Sequence, residues 1–441
     1  MTIKFSRFVA AGACLSAALL LSATGTSSAE SAASSDSKAP LQKASSVQSL
    51  NPAWKVDNDG QGLFAKKSPI SNGLVFFSDN RHTLYAAGLE TGKVKWSIPQ
   101  AGPPEVITSN TVTFIDASGR LVKVDSSSGK PLWRTTAVEE TNEMGAHVYS
   151  VEGSLLVLNE NSGGGLSAFD PVSGQRNWKN TQIPMYAGDL VGQYGGTLVV
   201  SSTVDNIRTR FFGIDPATGK QLWRQEGIYT PVGQANGQLI LRNVTDQASR
   251  LAYGDTAFRG YMLRLAMLDP STGKIVKTEN YGLSQDARSS ADPRAYLIGD
   301  YVYGVESSLS PYTSTLVRYK RGESASDKNY AEYGNLVSGP QNGYFFFQKN
   351  GMLSALRAND DRIFDLGQLP SSVATTGVHV LGDFAFAGLD TGEYYIFDMK
   401  SGRTWSMPQT RSHLFGVPFL KNGKLLVQTL SDLIVFDLPK G

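Results

Sequence analysis

Every tryptophan of the chain lies in one phase of one repeated motif. The motif is Asp-x-x-Ser/Thr-Gly followed by Trp three or four residues after the Gly. It runs Asp125 to Gly129 with Trp133, Asp170 to Gly174 with Trp178, and Asp215 to Gly219 with Trp223. Asp398 to Gly402 with Trp405 is one residue shorter, and Asp269 to Gly273 repeats the turn alone. Trp96 follows Thr91-Gly92-Lys93, with Gly88 in the Asp position, and Trp54 has no motif before it. A residue type confined to one phase of a repeat serves to pack repeats together, so the repeat constrains the fold before any other feature does.

Each unit reads as four short strands. In residues 187–226 these are 187–192, 196–201, 210–215 and 221–224, β-branched or aromatic runs bounded by Gly, Asp and Asn. Sustained 3.6-residue periodicity is absent downstream of the leader. The Asp carboxylate accepts hydrogen bonds from backbone N–H groups two or three residues on, and Gly closes the turn at positive φ. The Trp then lies on the returning strand, where its ring can cover ~150–250 Å².

Third strands begin near Leu84, Leu121, Leu166, Phe211, Arg264, Leu316, Leu353, Tyr394 and Leu433. A spacing of ~40–50 residues is that of propeller blades. The reading is an all-β chain, a single β-propeller of four-stranded blades over 51–441. Nine units are counted, fold precedent sets the expectation at eight, and the unit 290–333, lacking Asp-turn and Trp, is the one to drop. The last unit ends without a fourth strand, and Trp54 stands in a strand with no blade of its own. The N-terminal strand is therefore expected to complete the C-terminal blade and close the ring.

The runs Leu121–Asp125 through Trp133 and Ile214–Asp215 through Trp223 resemble the repeat of the PQQ-like, or quinoprotein-alcohol-dehydrogenase-like, propeller superfamily. The resemblance covers about residues 51 to 441. It implies the propeller fold and divides on function, because the superfamily holds cofactor-binding enzymes and non-enzymatic BamB-like scaffolds. An enzyme of this kind implies a calcium site, a catalytic Asp and a vicinal disulfide over the cofactor. The only cysteine is Cys14, so the disulfide is excluded. The chain looks like the BamB-like, non-enzymatic branch, with no catalytic, cofactor or metal residue assigned.

Residues 1–29 read as a secretory signal peptide. Lys4 and Arg7 precede an apolar run from Phe8 to Leu21, with cleavage expected after Ala29 and no lipid attachment at Cys14. Residues 30–50 are a Ser/Ala-rich spacer expected to be disordered. The mature chain is balanced in charge and has no apolar run long enough to span a bilayer, which argues against nucleic acid and membrane insertion. A secreted or envelope-associated monomer is the expectation.

His82, His147, His379 and His413 show no metal-pair spacing, and Asp57-Asn58-Asp59-Gly60 lacks the distal acid of a calcium loop, where Ser68 stands. Nucleophile-elbow and phosphate-loop motifs are absent. The insertions 137–145, 159–165, 203–210, 244–262, 281–294 and 306–315 all fall between second and third strands or between blades, on one face of the ring. Three of them carry Arg250, Tyr253, Arg259, Tyr261, Arg288 and Tyr312, residue types enriched at binding hot spots. These six form the candidate contact surface for a protein or cell-envelope partner. The alternatives are a ligand- or glycan-binding sensor and an enzyme using the axial pocket.

Overall fold

The computed structural model describes residues 47–64, 67–137, 146–159, 165–184, 188–203, 208–244, 260–284, 289–309, 312–370 and 375–438. The signal segment and nearly all of the spacer lie outside them.

Nine antiparallel sheets follow one another along the chain. Blades 1 to 8 occupy 70–99, 106–137, 146–180, 189–227, 229–284, 289–329, 335–368 and 375–407. Blade 9 has three strands from 419–437, and Trp54–Asp57 lies antiparallel to Asp432–Asp437 as its fourth. The count of nine therefore stands and the precedent of eight does not. The atypical unit 290–333 is a complete blade: Val302, Val305, Leu316 and Val317 supply two buried faces without an Asp-turn or a Trp. Two short 3-10 turns, Gln61–Phe64 and Ala331–Tyr333, are the helical elements among the described residues.

Two positions near the end of the expected spacer are also structured. Gln48–Ser49 runs parallel to Thr404–Met407 as a fifth strand of blade 8. One short N-terminal segment thus touches two consecutive blades.

Nine apolar clusters fill the seams, one between each pair of consecutive blades, including Val75, Phe77, Ala87 and Leu89 of blade 1 against Leu426, Leu433 and Val435 of blade 9. Alternate residues of each strand point to the two neighbouring blades, which is why the middle strands are apolar on both faces.

The Trp repeat works across seams. Trp96, Trp133, Trp178 and Trp223 each donate Nε1–H to the carbonyl following the Asp of the next blade's turn: Ser126, Pro171, Pro216 and Pro270, at 3.0, 3.3, 2.8 and 2.7 Å. Trp54 does the same to Leu89 at 2.8 Å. Each ring also lies against the turn glycine of that next blade. A Cβ at Gly273 would come within 2.4 Å of the Trp223 ring, and Gly273 sits at φ 71°. Asp125, Asp170, Asp215, Asp269 and Asp398 cap their own turns through backbone N–H groups two residues on.

Candidate functional site

In a four-strand meander, the starts of strands 1 and 3 and the ends of strands 2 and 4 share one face. The Asp turns lie on the other. Most blades have strands of about five to seven residues, but in blades 5 and 6 five strands are longer: Gly260–Leu268, Ile275–Ser284, Ser289–Ile298, Tyr301–Leu309 and Tyr312–Lys320. The extra length lies on the loop face. Gly260 pairs with Ser284 and Ser289 with Ser308, well beyond the register shared with inner strands. Two of the expected insertions are therefore mostly strand. In 306–315, Glu306 to Leu309 pair with Thr315 to Tyr312, and 310–311 lie outside the described residues. In 281–294 every described residue lies in a strand. Tyr312, Thr313 and Thr315 are residue types that favour strand pairing.

Arg242 joins these projecting hairpins. It is fully buried at the loop-face end of blade 5's second strand. Its Nη2 donates to the Met262 carbonyl at 3.0 Å and its Nη1 to the Arg294 carbonyl of blade 6 at 3.3 Å. Burial is tolerable for a guanidinium because its planar fork spreads the charge over several acceptors. Arg294 in turn donates to Ser314 Oγ, and Ser314 N–H to Asn335 Oδ1 of blade 7 at 3.1 Å. Glu306 lies half-buried beside this seam, and burial alone pushes its carboxyl above the usual range.

The Trp slot changes character in the same sector. Register places Lys277 opposite Met267 and Lys328 opposite Arg318, where Trp223 stands opposite Gly213. Ion pairs replace indoles there. Glu279, 7% exposed, accepts from Lys277 Nζ at 2.8 Å and Tyr281 Oη at 2.6 Å, with Arg321 of blade 6 at 3.6 Å. Asp361, in the turn of blade 7, accepts from Arg318 Nη1 at 2.7 Å and Tyr330 Oη at 2.7 Å, with Lys328 at 3.4 Å. Burial opposes ionisation of both carboxyls, but their hydrogen bonds and cationic neighbours hold them below the usual range.

Blade 6's fourth strand, Ser326–Asn329, is only four residues long before the chain turns through Ala331–Tyr333. Beside it lies a cavity of about 500 Å³ against blade 7, lined by Tyr333, Met352, Ile363, Asp365 and Gln368 among others.

Nearer the axis, the first strands of blades 2 to 4 carry a smaller polar group. Glu105 Oε2 accepts from Val148 N–H at 3.2 Å and lies 3.9 Å from His147 Nδ1. Tyr149 Oη donates to Asp189 Oδ1 at 2.8 Å. Burial and the Asp189 charge raise the Tyr149 hydroxyl pKa. Among the described residues no three His, Cys, Asp or Glu side chains come together as metal donors. His82, His379 and His413 sit on other blades or links. The Asp57–Gly60 run is a polar turn, with Asn58 Oδ1 accepting from Gly60 N–H and Asp59 Oδ1 from Gln61 N–H.

Of the six sequence-derived contact residues, Arg250, Tyr253, Arg259 and Arg288 lie outside the described residues. Tyr261 is partly buried on the blade 5 hairpin, and Tyr312 lies in the blade 6 ladder opposite Leu309. Sequence reading missed Arg242, Glu279, Arg318 and Asp361. The signal was the Lys at 277, four residues after Gly273, where every earlier Asp turn has Trp.

The family described as outer membrane protein assembly factor BamB matches residues 43–190 and 99–330. This chain belongs to that family. A curated relative, the dehydrogenase subunit of quinone alcohol dehydrogenase from Gluconobacter oxydans, is 24% identical over 272 residues, covering 52% of this chain and 34% of the relative. The matched region thus spans about a third of that relative's length. Among solved structures, BamB from Moraxella catarrhalis aligns over 88% of this chain and all of its own at 14% identity and TM-score 0.46. A quinohemoprotein alcohol dehydrogenase from Comamonas testosteroni aligns over 89% of this chain and 78% of its own at 12% identity and TM-score 0.46. No helix among the described residues is long and apolar enough to cross a membrane.

Proposed function

We propose that this chain is an exported, non-enzymatic propeller scaffold that binds a protein or cell-envelope component through the loop face of blades 5 and 6. The observation that carries the reading is the asymmetry of the two faces. One bears short, repeated Asp turns, and the other bears five lengthened strands. Rigid scaffolds concentrate binding residues on such elaborated edges. The reading also draws support from membership of a family described as an assembly factor. Arg250, Tyr253, Arg259, Tyr261, Arg288 and Tyr312 remain the proposed contact residues, and the protein is proposed to be a secreted or envelope-associated monomer without a cofactor. Capture from envelope extract tests this with wild type and a variant lacking residues 245–259, which leaves the Met262 carbonyl that holds Arg242 in place. A protein held by wild type and lost from the variant supports the reading. Equal capture by both sinks it.

A second reading, an enzyme at the axis, rests on the similarity to quinone alcohol dehydrogenases over 52% of the chain. Alcohol-dependent dye reduction after incubation with pyrroloquinoline quinone and calcium decides it, and activity there displaces the scaffold reading.

A further inference from the structure

We propose that the cavity between blades 6 and 7 is a binding site for a neutral saccharide. This goes beyond the partner reading and does not depend on it. The cavity follows from a local departure from the repeat. In five seams a Trp on the fourth strand covers the next blade's turn. Here Lys328 takes that slot and is drawn to Asp361 and the Tyr330 ring, 5.1 Å from its centroid. The fourth strand stops at Asn329, and the outer strands of blade 7, Met352–Arg357 and Arg362–Gln368, form one wall of an open groove.

The groups lining that groove are held in place from behind. Ser354, 8% exposed, donates to Asp365 Oδ1 at 2.7 Å, which fixes the carboxylate and leaves Oδ2 available as an acceptor. Gln368 Nε2 is committed to the carbonyls of Asn350 and Leu369, at 3.0 and 3.2 Å, so its Oε1 is the atom left to accept. Lys349 Nζ donates to the Glu332 carbonyl at 2.8 Å and keeps protons to spare. Tyr333, braced by Phe347 at 5.9 Å between centroids, joins Met352 and Ile363 as an apolar surface.

Preset acceptors beside a donor and an aromatic platform match a sugar. Its hydroxyls both donate and accept, and its C–H face packs on apolar surface. One lysine faces two acids, Glu332 and Asp365, so the groove has no cationic excess to hold a phosphate or other anion. A volume of about 500 Å³ lies within the range of small-ligand sites.

The test is titration of the mature protein, followed by ligand-observed NMR, with cellotriose, maltotriose, mannotriose and chitotriose. Inorganic phosphate and trilysine serve as controls. At least one trisaccharide should bind. Asp365→Ala and Gln368→Ala should each weaken it by about tenfold, whereas Asp360→Ala, in the turn at the other end of the strand, should not. The two test residues are exposed, so an unchanged melting temperature confirms that the variants fold. No trisaccharide binding up to about 10 mM, binding that both variants retain, or binding of phosphate or trilysine alone overturns the proposal. Envelope-partner capture by the same variants reads the scaffold proposal separately, since neither substitution touches the blade 5 hairpin.

Discussion

The indole Nε1 of Trp405 donates to the side-chain Oε1 of Gln48 at 3.1 Å, joining residues 357 positions apart. In the other Trp seams the acceptor is a backbone carbonyl of the next blade's turn. In this one the N-terminal segment supplies it and then continues into the Trp54–Asp57 strand of blade 9. Removing residues 48–57 should therefore expose the edges of two blades and lower the melting temperature by ten degrees or more. Gln48→Ala should cost only ~0.5–1.5 kcal/mol, the net value of one hydrogen bond. Calorimetry on both variants checks this, and a deletion that melts like wild type contradicts ring closure by the N-terminal strand.

Trp223 is 8% exposed and packs with Val199, Phe211, Leu239 and Leu241. Trp223→Ala should destabilise by ~3–5 kcal/mol, as large aromatic truncations do. Chemical denaturation measures it, and a change under ~0.5 kcal/mol would refute the packing role of the slot.

Where Lys replaces Trp, stability should depend on a carboxylate. Asp361→Asn leaves Arg318, 12% exposed, short of one anionic partner and should cost ~1–3 kcal/mol. Asp360→Asn breaks an exposed pair with Arg357 and should cost ~0–1 kcal/mol. Equal losses would mean that the 6/7 seam does not use Asp361 in place of an indole.

Acid should weaken the fold before carboxylates titrate. Burial lowers the His379 pKa from 6.5 to about 4. The unfolded chain then binds a proton that the folded chain refuses, so stability falls as pH drops from about 6.5 to about 4, by at most on the order of 3 kcal/mol. Glu279 and Asp361, held low, add losses in the same direction further into acid. Glu306, held high, works oppositely: its stabilising effect is full in acid and fades as pH rises through its folded pKa. Melting temperatures should thus decline from pH 7 to pH 4.5, and His379→Gln should flatten that decline. An identical slope in the variant would remove His379 from the account.

The blade register was legible because side-chain alternation and Asp-turn chemistry are local. Seven of the nine third strands begin within two residues of the expected starts, those of blades 5 and 6 begin four residues earlier, and the turn aspartates accept the backbone bonds that their spacing implies. The unit 290–333 was undervalued because its seams use Tyr303, Tyr330 and ion pairs in place of the Trp signature. Arg242 was invisible for a different reason. An arginine after three apolar residues reads as a strand end, and only the meeting of Met262 and Arg294 carbonyls, 20 and 52 residues away, explains its burial. The cavity arises from a strand ending early, which no residue type announces.

Site-specific photo-crosslinking decides the central claim most directly. A photoreactive residue at Leu283, 62% exposed at the loop-face end of blade 5, is compared with one at Val172, 82% exposed in an Asp turn. In envelope extract the account predicts a discrete adduct from position 283 and none from 172. An adduct from 172 without one from 283 would place the binding surface on the opposite face and contradict the account.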